Sequence, residues 1–536
     1  MKGNNIIIMT EAGKPVFSTN DSEMEVGRQA ALFQAIRTAV EGNNDALGLG
    51  ELKSIHSGSL MIVFMEAGGI TLVSMIEKGE EEGIVETEAF ARIQLEHVYA
   101  QLIFSMTDHP QKILAQNPGF DLATMITATE KKLLNGILSK CGPDGNVGQF
   151  LTGSVETAFP IPHNLRNQAS RALHSINVPN TVFAIMLVGD RLLSLVQSSF
   201  RPHQLRVSDL QLIINVVDQN TSLSSSELWI PMCLPRFNTS GFLYAYIRCL
   251  DETSQLKLIL LSTHNTTEQF QLFHTASDRI RKDMDIPATH DTVLKIDTSS
   301  QDTPTSATKT DVAWFLAECS FDDSIEEGYV SIGKAQDQQL LLDAIQNSRE
   351  PSSLEQLVER YVGKEEYLLQ FVFRMDVKVR SESNQRGLLS QCISTPILLE
   401  DFPNAKSRRR VYIMYQKLGL RLRLGSATVE SSMDALDMIA LDDKGASDLS
   451  SFPTLTSTCP SIGLAESPPN VHGITYIVDG DEIFLGMNGR DFEFYMTIRN
   501  SVPIKKAAAI GTKLVRRLKA DEKDLFLTNP LTWDVR

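Results

Sequence analysis

Short apolar runs and longer segments of helical periodicity alternate through residues 1–140. Apolar residues recur three or four positions apart at 25–41, 85–106 and 122–138, which predicts helices. The strand-like runs, each bounded by polar or glycine-containing segments, are 5–9, 16–18, 52–56, 60–66 and 70–76. The order β-β-α-β-β-β-α-α predicts an antiparallel five-stranded sheet with helices on both faces.

A similar order of elements returns after a glycine-containing break at 141–148. The pattern predicts a strand hairpin, a helix, three strands and a final helix, at 182–188, 192–197, 207–217, 228–234, 242–249, 256–261 and 268–282. A repeat of this length indicates duplicated domains rather than a solenoid. We therefore predict a second domain at 141–285, followed by a polar linker at 286–311.

The pattern in the remaining residues, 312–536, predicts a third domain built of similar helices and strands. Helices are expected at 336–347, 354–361, 408–418 and 502–520, and strands at 370–380, 473–478, 482–487 and 492–498. Residues 425–471 are rich in Ser, Thr, Pro, Asp and Gly, which predicts a loop insertion. The whole chain is expected to be an α+β protein with three similar domains in series.

Composition and charge exclude several classes of protein. The chain has 536 residues and a net charge of −16, a balance that disfavours nucleic-acid binding. No run of eighteen apolar residues predicts a transmembrane helix. The six cysteines are scattered without zinc or disulfide spacing, so we expect reduced thiols in a cytoplasmic protein.

Motifs for catalysis and for metal binding do not occur in the sequence. Gly13-Lys14-Pro15 lacks the glycine spacing of a phosphate-binding loop and lies in a turn between strands. The ten histidines lack metal-binding spacing, and His56 and His97 lie among apolar neighbours, as structural histidines do. We expect a protein without catalytic residues, metal or cofactor; an unrecognised enzyme is a remote alternative.

Four segments carry a resemblance to a known family. Residues 9–18 read Met-Thr-Glu-Ala-Gly-Lys-Pro-Val-Phe-Ser and residues 52–58 read Leu-Lys-Ser-Ile-His-Ser-Gly. Together with 231–246 and 521–533, they resemble the vacuolar fusion protein Mon-one family. The resemblance covers 1–283 and 473–533 well, and the intervening residues in outline.

The resemblance implies three longin domains and a heterodimer with a Ccz-one-like longin subunit. It implies that the pair is a guanine nucleotide exchange factor for the late-endosomal Rab-seven GTPase. Such a factor drives early-to-late endosome conversion and vacuole or lysosome fusion. The resemblance also implies recruitment to endosome, lysosome and vacuole membranes by an early-endosomal Rab and anionic phosphoinositides. The first domain would bind the Rab and the partner subunit.

Two departures from the family pattern are expected. The first strand begins at Asn5, so the family's long N-terminal extension is expected to be absent, and 425–471 looks expanded. A longin scaffold or tether that binds Rab GTPases and membranes without exchanging nucleotide is the alternative function. A longin SNARE would need a heptad coiled coil and an anchor, which this sequence lacks.

Two surfaces are candidates for GTPase contacts. As the family resemblance suggests a Rab platform in the first domain, we select the segment 52–66 with Ile55, His56 and Ser57. The alternative is that these residues only build the sheet. Trp229 lies in a proline-containing stretch typical of a sheet edge, where it is a candidate contact for the recruiting Rab; core burial is the alternative.

Two basic clusters are candidates for membrane contact. The first contains Lys406, Arg408, Arg409 and Arg410, and the second follows one face of the last predicted helix. Each cation near an anionic surface contributes about 1 kcal/mol to binding. A solvated face without a ligand is the alternative. The second cluster comprises Lys505, Lys506, Lys513, Arg516, Arg517 and Lys519.

Overall fold

The computed structural model describes most of the three predicted domains. The predicted linker, the helix at 354–361 and most of the helix at 336–347 lie outside the described residues, as does 427–470. The described residues are 5–19, 23–47, 52–58, 60–77, 86–141, 147–159, 161–176, 178–198, 204–220, 227–251, 255–284, 340, 342–345, 368–379, 387–395, 402, 404–426 and 471–533.

The first sheet has the predicted five antiparallel strands, in the order β2-β1-β5-β4-β3. Gly68 and Gly69 make the β4–β5 turn with φ of 59° and 80°, which residues with a Cβ rarely adopt. The strands are β1 (Asn5–Thr10), β2 (Pro15–Ser18), β3 (Ser54–Ser57), β4 (Leu60–Ala67) and β5 (Ile70–Glu77). The helices are α1 (Glu23–Leu47), α2 (Glu88–Met106), α3 (His109–Gln116) and α4 (Ala128–Lys140).

Helices cover both faces of this sheet, as predicted. Ile7 packs in one apolar cluster with Phe33 of α1, whereas its neighbours Ile6 and Ile8 pack in another cluster with Leu95 of α2. Successive residues of a strand point to opposite faces, so a strand covered on both sides is apolar throughout. This explains the continuous apolar run of β1.

The helix predicted at 122–138 is wrong in detail because it is two elements. Leu122–Met125 forms a 3₁₀ turn, and α4 starts after Thr127. The Thr127 hydroxyl accepts from Glu130 N at 3.4 Å, and the Glu130 carboxylate accepts from Thr127 N at 2.9 Å. This capping box fixes a new helix start inside the apolar repeat.

The second sheet repeats the strand order of the first, as β8-β7-β11-β10-β9. Three short elements that precede it were not predicted: α5 (Val147–Thr152), β6 (Val155–Glu156) and α6 (His163–His174). The main elements are β7 (Thr181–Val188), β8 (Arg191–Ser198), α7 (Val207–Gln219), β9 (Leu228–Met232), β10 (Leu243–Asp251), β11 (Leu256–Ser262) and α8 (Thr267–Asp283).

The third sheet has the same order again, as β13-β12-β16-β15-β14. Helix α9 extends to Ser426, so residues 425 and 426 belong to a helix and not to the predicted insertion. The elements are β12 (Leu368–Val379), β13 (Gly387–Ser394), α9 (Ala405–Ser426), β14 (Val471–Asp479), β15 (Glu482–Gly489), β16 (Phe492–Arg499), α10 (Ile504–Ala520), α11 (Glu522–Leu525) and β17 (Leu531–Trp533).

The expectation of five antiparallel strands is wrong for the second and third sheets, which have six strands each. β17 pairs parallel to β8, and β6 pairs parallel to β13. The added strands come from segments outside the repeated unit and cover an edge strand that would otherwise expose unpaired backbone groups. The C-terminal strand therefore binds the second sheet, and the segment before the second sheet binds the third.

The segment that follows β6 connects the second and third sheets. Thr157 N donates to Cys392 O at 3.1 Å, and Ala158 N donates to Leu192 O at 2.9 Å. Arg166 is 1% exposed, and its guanidinium donates to the carbonyls of Ala158 and Leu193 at 2.6 and 3.2 Å. Carbonyl acceptors compensate the burial of this charge, and burial lowers the pKa of Arg166 to about 10.

Helices α2 and α7 join the first and second domains through buried polar pairs. The two ring nitrogens of His97 lie 2.7 Å from Ile93 O and 3.0 Å from Gln211 Oε1, so His97 has the structural role predicted for it. One turn further along, Asn215 Nδ2 donates to Gln101 Oε1 at 2.9 Å. Four cysteines of the described residues, Cys141, Cys233, Cys249 and Cys392, form no disulfide.

Candidate functional site

The three candidate GTPase-contacting residues lie together on β3, at the edge of the first sheet. β3 pairs with β4 on one side and is the last strand of the sheet on the other. His56 and Ser57 are exposed and Ile55 is half-buried. Among the described residues the strand therefore presents accessible side chains at an edge that no further strand covers, which is where an added peptide segment binds a sheet.

A buried carboxylate on α2 holds this edge strand. Glu88 is 5% exposed; its carboxylate accepts from the Ser54 hydroxyl at 2.9 Å and lies 3.6 Å from His56 Nε2. Arg92 pairs with the same carboxylate at 2.9 Å. Burial acts to raise the pKa of Glu88, but Arg92, Ser54 and His56 outweigh it, so the pKa lies below its ordinary value. The sequence did not single out Glu88, because Ser54 and His56, which it holds, lie on another element.

The start of α2 is in turn held by α9 of the third domain. Gln416 Oε1 accepts from the Thr87 backbone N–H at 3.2 Å, and both residues are buried. Arg409 Nε lies 3.4 Å from the buried carboxylate of Glu86. The rings of Phe90 and Tyr412 meet edge to face, 5.1 Å between centroids. Residues 86–90 thus contact both β3 and α9.

Trp229 lies on β9, which is an edge strand, as the prolines predicted. Its indole is half-buried and stacks on Tyr244 at 6.1 Å, and it meets Phe270 edge to face at 6.0 Å. Trp229 Nε1 donates to Asn265 Oδ1 at 2.9 Å. Trp229 therefore packs on α8 and β10 and still presents part of its ring at the edge.

Four charged or titratable side chains lie beside this aromatic group and were not selected from the sequence. Arg248 contacts Glu227 at 3.3 Å and Asp278 at 2.6 Å. His274 lies between the same two carboxylates, at 2.9 and 3.4 Å. These pairs tie the start of β9 to α8 and β10. Glu227, Arg248 and the pair on α8 come from three separate segments, so no local motif indicated the group.

The basic cluster at the start of α9 is largely engaged within the protein. Arg410 contacts Asp479 and Glu482, at 2.5 and 2.8 Å, and Arg409 contacts Glu86. Lys406 is exposed and Arg408 is half-buried. Two arginines of this candidate membrane-contacting cluster thus pair with acidic side chains of the first and third domains.

The cations of α10 form a separate surface. Ala508, Gly511, Val515 and Leu518 are buried and Ile504 is half-buried, so one side of α10 is apolar and packs inward. Lys519 pairs with Asp491 at 2.6 Å. Of the other predicted cations, Arg516 is half-buried and the exposed set is Lys505, Lys506, Lys513 and Arg517.

The two basic clusters lie on opposite faces of the third sheet. On β15, Gly486 faces Leu422 of α9, whereas its neighbour Met487 faces Gly511 of α10. Consecutive strand residues point to opposite faces, so α9 and α10 cover the sheet from two sides. The structure therefore does not bring the two predicted membrane-contacting clusters onto one surface.

None of the helices in the described part of the chain is long and apolar enough to cross a bilayer. Groups of three or more His, Cys, Asp or Glu side chains that could hold a metal ion are also absent from the described ranges.

Comparison with known proteins identifies the repeated units. The family described as First Longin domain of FUZ, MON1 and HPS1 matches residues 4–135, and the Second Longin domain of the same proteins matches 179–281. The first two sheets thus belong to two longin domains.

Curated relatives come from animals, plants and yeast. Protein SAND of Takifugu rubripes is 29% identical over 259 residues, which are 48% of this chain and 46% of that protein. The vacuolar fusion protein MON1 homolog A of Gallus gallus is 28% identical over 283 residues, 53% of this chain and 47% of the relative. The Oryza sativa subsp. japonica MON1 homolog is 30% identical over 253 residues, 47% of this chain and 41% of the relative.

The chain thus spans about half the length of the curated relatives it matches. Two longin domains of the FUZ, MON1 and HPS1 type occur in the order expected of that group, and MON1 homologues from distant organisms match the same chain. Together these findings show that the chain belongs to the vacuolar fusion protein MON1 family.

Proposed function

We propose that this protein is one subunit of a heterodimeric guanine nucleotide exchange factor that acts in vacuole or lysosome fusion and endosome conversion. The partner would be a Ccz-one-like longin subunit, and the substrate the late-endosomal Rab-seven GTPase. The observation that carries the proposal is the strand order shared by all three sheets. Two of the sheets lie in longin domains of the MON1 type, so the shared order supports a third longin domain and the tri-longin architecture.

The proposed mechanism needs no covalent chemistry. An exchange factor accelerates GDP release by binding the nucleotide-free GTPase more tightly than the nucleotide-bound form. The proposed contact is the β3 edge, with Ile55, His56 and Ser57, in company with a surface of the partner subunit. Exposed side chains on an open edge strand support this choice, since they can contact a GTPase without unfolding the sheet.

Two further surfaces would localise the complex. The β9 edge, with Trp229, is the proposed contact for an early-endosomal Rab. The exposed cations of α10 are the proposed contact for anionic phosphoinositide membranes, where each contributes about 1 kcal/mol. α10 is preferred over the start of α9, because Arg409 and Arg410 already pair with buried or half-buried carboxylates.

The test is a nucleotide-release assay on the chain co-purified with its partner, using a panel of Rab GTPases loaded with fluorescent GDP. We expect faster release from the late-endosomal Rab alone, and only when both subunits are present. Binding of that Rab without faster release would favour the scaffold or tether. Failure to release GDP from any Rab, and to bind one, would contradict both functions.

A pair of serine substitutions tests the β3 assignment. Ser57→Glu places a charge on the exposed edge of β3 and should abolish release while the heterodimer remains intact. Ser501→Glu introduces the same charge at an exposed serine of the third domain and should leave release unchanged. Equal activity of the two variants would contradict the placement of the GTPase contact at β3.

A further inference from the structure

We propose that the third domain positions the β3 edge strand of the first domain, with Gln416 and Arg409 of α9 as positioning residues. The inference about β3 itself stands on contacts alone. Its consequence for nucleotide release rests on the proposed function. The contacts form one continuous series, from α9 to residues 86–90 to β3. Its buried polar members are Glu86, Thr87, Glu88 and Gln416.

The first step of the series is a helix start completed by another domain. Thr87 caps α2 with its own hydroxyl, which accepts from Phe90 N at 3.4 Å. The Thr87 backbone N–H donates to Gln416 Oε1, an acceptor that the third domain supplies. Thr87 is 2% exposed, so water does not replace this acceptor.

The second step links the start of α2 to the edge strand β3. Glu88 is the first residue of α2, directly after Thr87, so the path of the helix start sets where its carboxylate lies. That carboxylate binds the hydroxyl of Ser54, the first residue of β3, and lies beside His56. Loss of the Gln416 acceptor should therefore weaken the contacts of Glu88 with Ser54 and His56 on β3.

A charged pair reinforces the same helix start. Glu86 is 3% exposed and lies 3.4 Å from Arg409. Removal of the arginine takes one charged partner from a buried carboxylate beside the first turn of α2. The carboxylate would then shift, and the adjacent Glu88 would shift with it. Arg409 thus acts on β3 through Glu86 and the α2 start.

Hydrogen exchange of the full-length chain tests the proposal. Gln416→Met keeps the side-chain size and removes the acceptor, and it should speed exchange of the β3 amides by about tenfold. Tyr415→Phe is the matched control: it removes one buried hydrogen bond, to Thr497, from the adjacent residue of the same helix, on the side of the third sheet. The control should leave β3 exchange unchanged.

Equal exchange of β3 in the two variants would overturn the proposal, as would faster exchange spread evenly over all three sheets. Arg409→Gln is a second route to the same readout if Gln416→Met does not fold, and it too should speed β3 exchange selectively. The release assay is separate. Faster β3 exchange with unchanged GDP release would uphold the positioning role and contradict the assignment of the GTPase contact to β3.

Discussion

Gln391 of β13 forms two hydrogen bonds with the backbone of Leu527, 136 residues away in the chain. Its Nε2 donates to Leu527 O at 3.1 Å, and its Oε1 accepts from Leu527 N at 2.9 Å. Gln391 is fully buried, and Leu527 is 2% exposed. A buried side-chain amide thus satisfies both polar groups of one residue in the C-terminal segment.

We expect Gln391→Leu to lower the free energy of unfolding by about 2–4 kcal/mol, because it leaves two buried backbone groups without partners. Urea unfolding followed by circular dichroism measures this change. Gln370→Leu is the matched control: Gln370 is 2% exposed on the adjacent strand, and its side chain donates to Thr395 O at 3.3 Å. The control should cost clearly less, and an equal cost would contradict the role of the Leu527 contact.

Asp209 predicts a pH-dependent stability. It is fully buried on α7, and burial raises its pKa to about 6. Hydrogen bonds from the backbone N–H groups of Arg236 and Phe237 lower the pKa, but by less than burial raises it. The charges of Arg236 and Arg206 act in the same direction as those N–H groups. Because the folded pKa lies above the ordinary value of 3.8, stability is lost as the pH rises from about 4 to about 6, by up to about 3 kcal/mol.

Asp209→Asn should therefore be more stable than the unsubstituted chain above about pH 7, and the difference should shrink as the pH falls toward about 4. Urea unfolding at several pH values provides the measurement. A difference between the Asp209→Asn variant and the parent that stays constant with pH would rule out this ionisation as the cause.

The α10 surface predicts binding to anionic vesicles. Charge reversal of Lys513 and Arg517, both exposed, should weaken sedimentation with phosphatidylinositol-phosphate vesicles more than tenfold, on the basis of about 1 kcal/mol per cation. Lys131→Glu with Lys282→Glu changes the net charge by the same amount at exposed sites of the first and second domains. If both pairs weaken binding equally, overall charge and not α10 is responsible.

Substitutions at Trp229 can separate its contribution to packing from its proposed contact with the recruiting Rab. Trp229→Ala removes three ring contacts and the Asn265 hydrogen bond, and should cost about 2 kcal/mol of unfolding free energy. Trp229→Phe keeps an aromatic ring in contact with Tyr244 and Phe270 and should cost less. With basal GDP release retained, loss of stimulation by the early-endosomal Rab in both variants would support a docking role. Retained stimulation in Trp229→Phe would assign the indole to packing alone.

Much of the first sheet could be predicted from the sequence, because its strands are short apolar runs close together in the chain. β13 could not: Gln391 and Cys392 are both fully buried, so the strand shows no alternation of apolar and polar positions. β6 and β17 are two and three residues long, below the length at which a period is visible. Their strand character comes entirely from the edges they pair with.

In the candidate site, too, some features were indicated by local sequence and others were not. Local sequence indicated the edge character of β9 through its prolines, and the amphipathic pattern of α10 through its spacing. The contacts of Glu88 with β3, of Gln416 with Thr87, and of Arg409 and Arg410 with their carboxylates were not indicated, because they join elements that are distant in the chain. For the same reason, the basic cluster at the start of α9 was interpreted from charge alone.

The order of the five repeated strands in each of the first two domains, the two-sided burial of the strands and the family resemblance follow from the sequence by itself. The periodicity of apolar residues indicates which positions are buried, because a residue's position in a helix or strand sets the face on which it lies. The tertiary structure decided that the C-terminal strand binds the second sheet, that α9 supports α2, and that the basic clusters lie on opposite faces. Those outcomes depend on which surfaces meet, and pairings between distant segments leave no local period from which to read them.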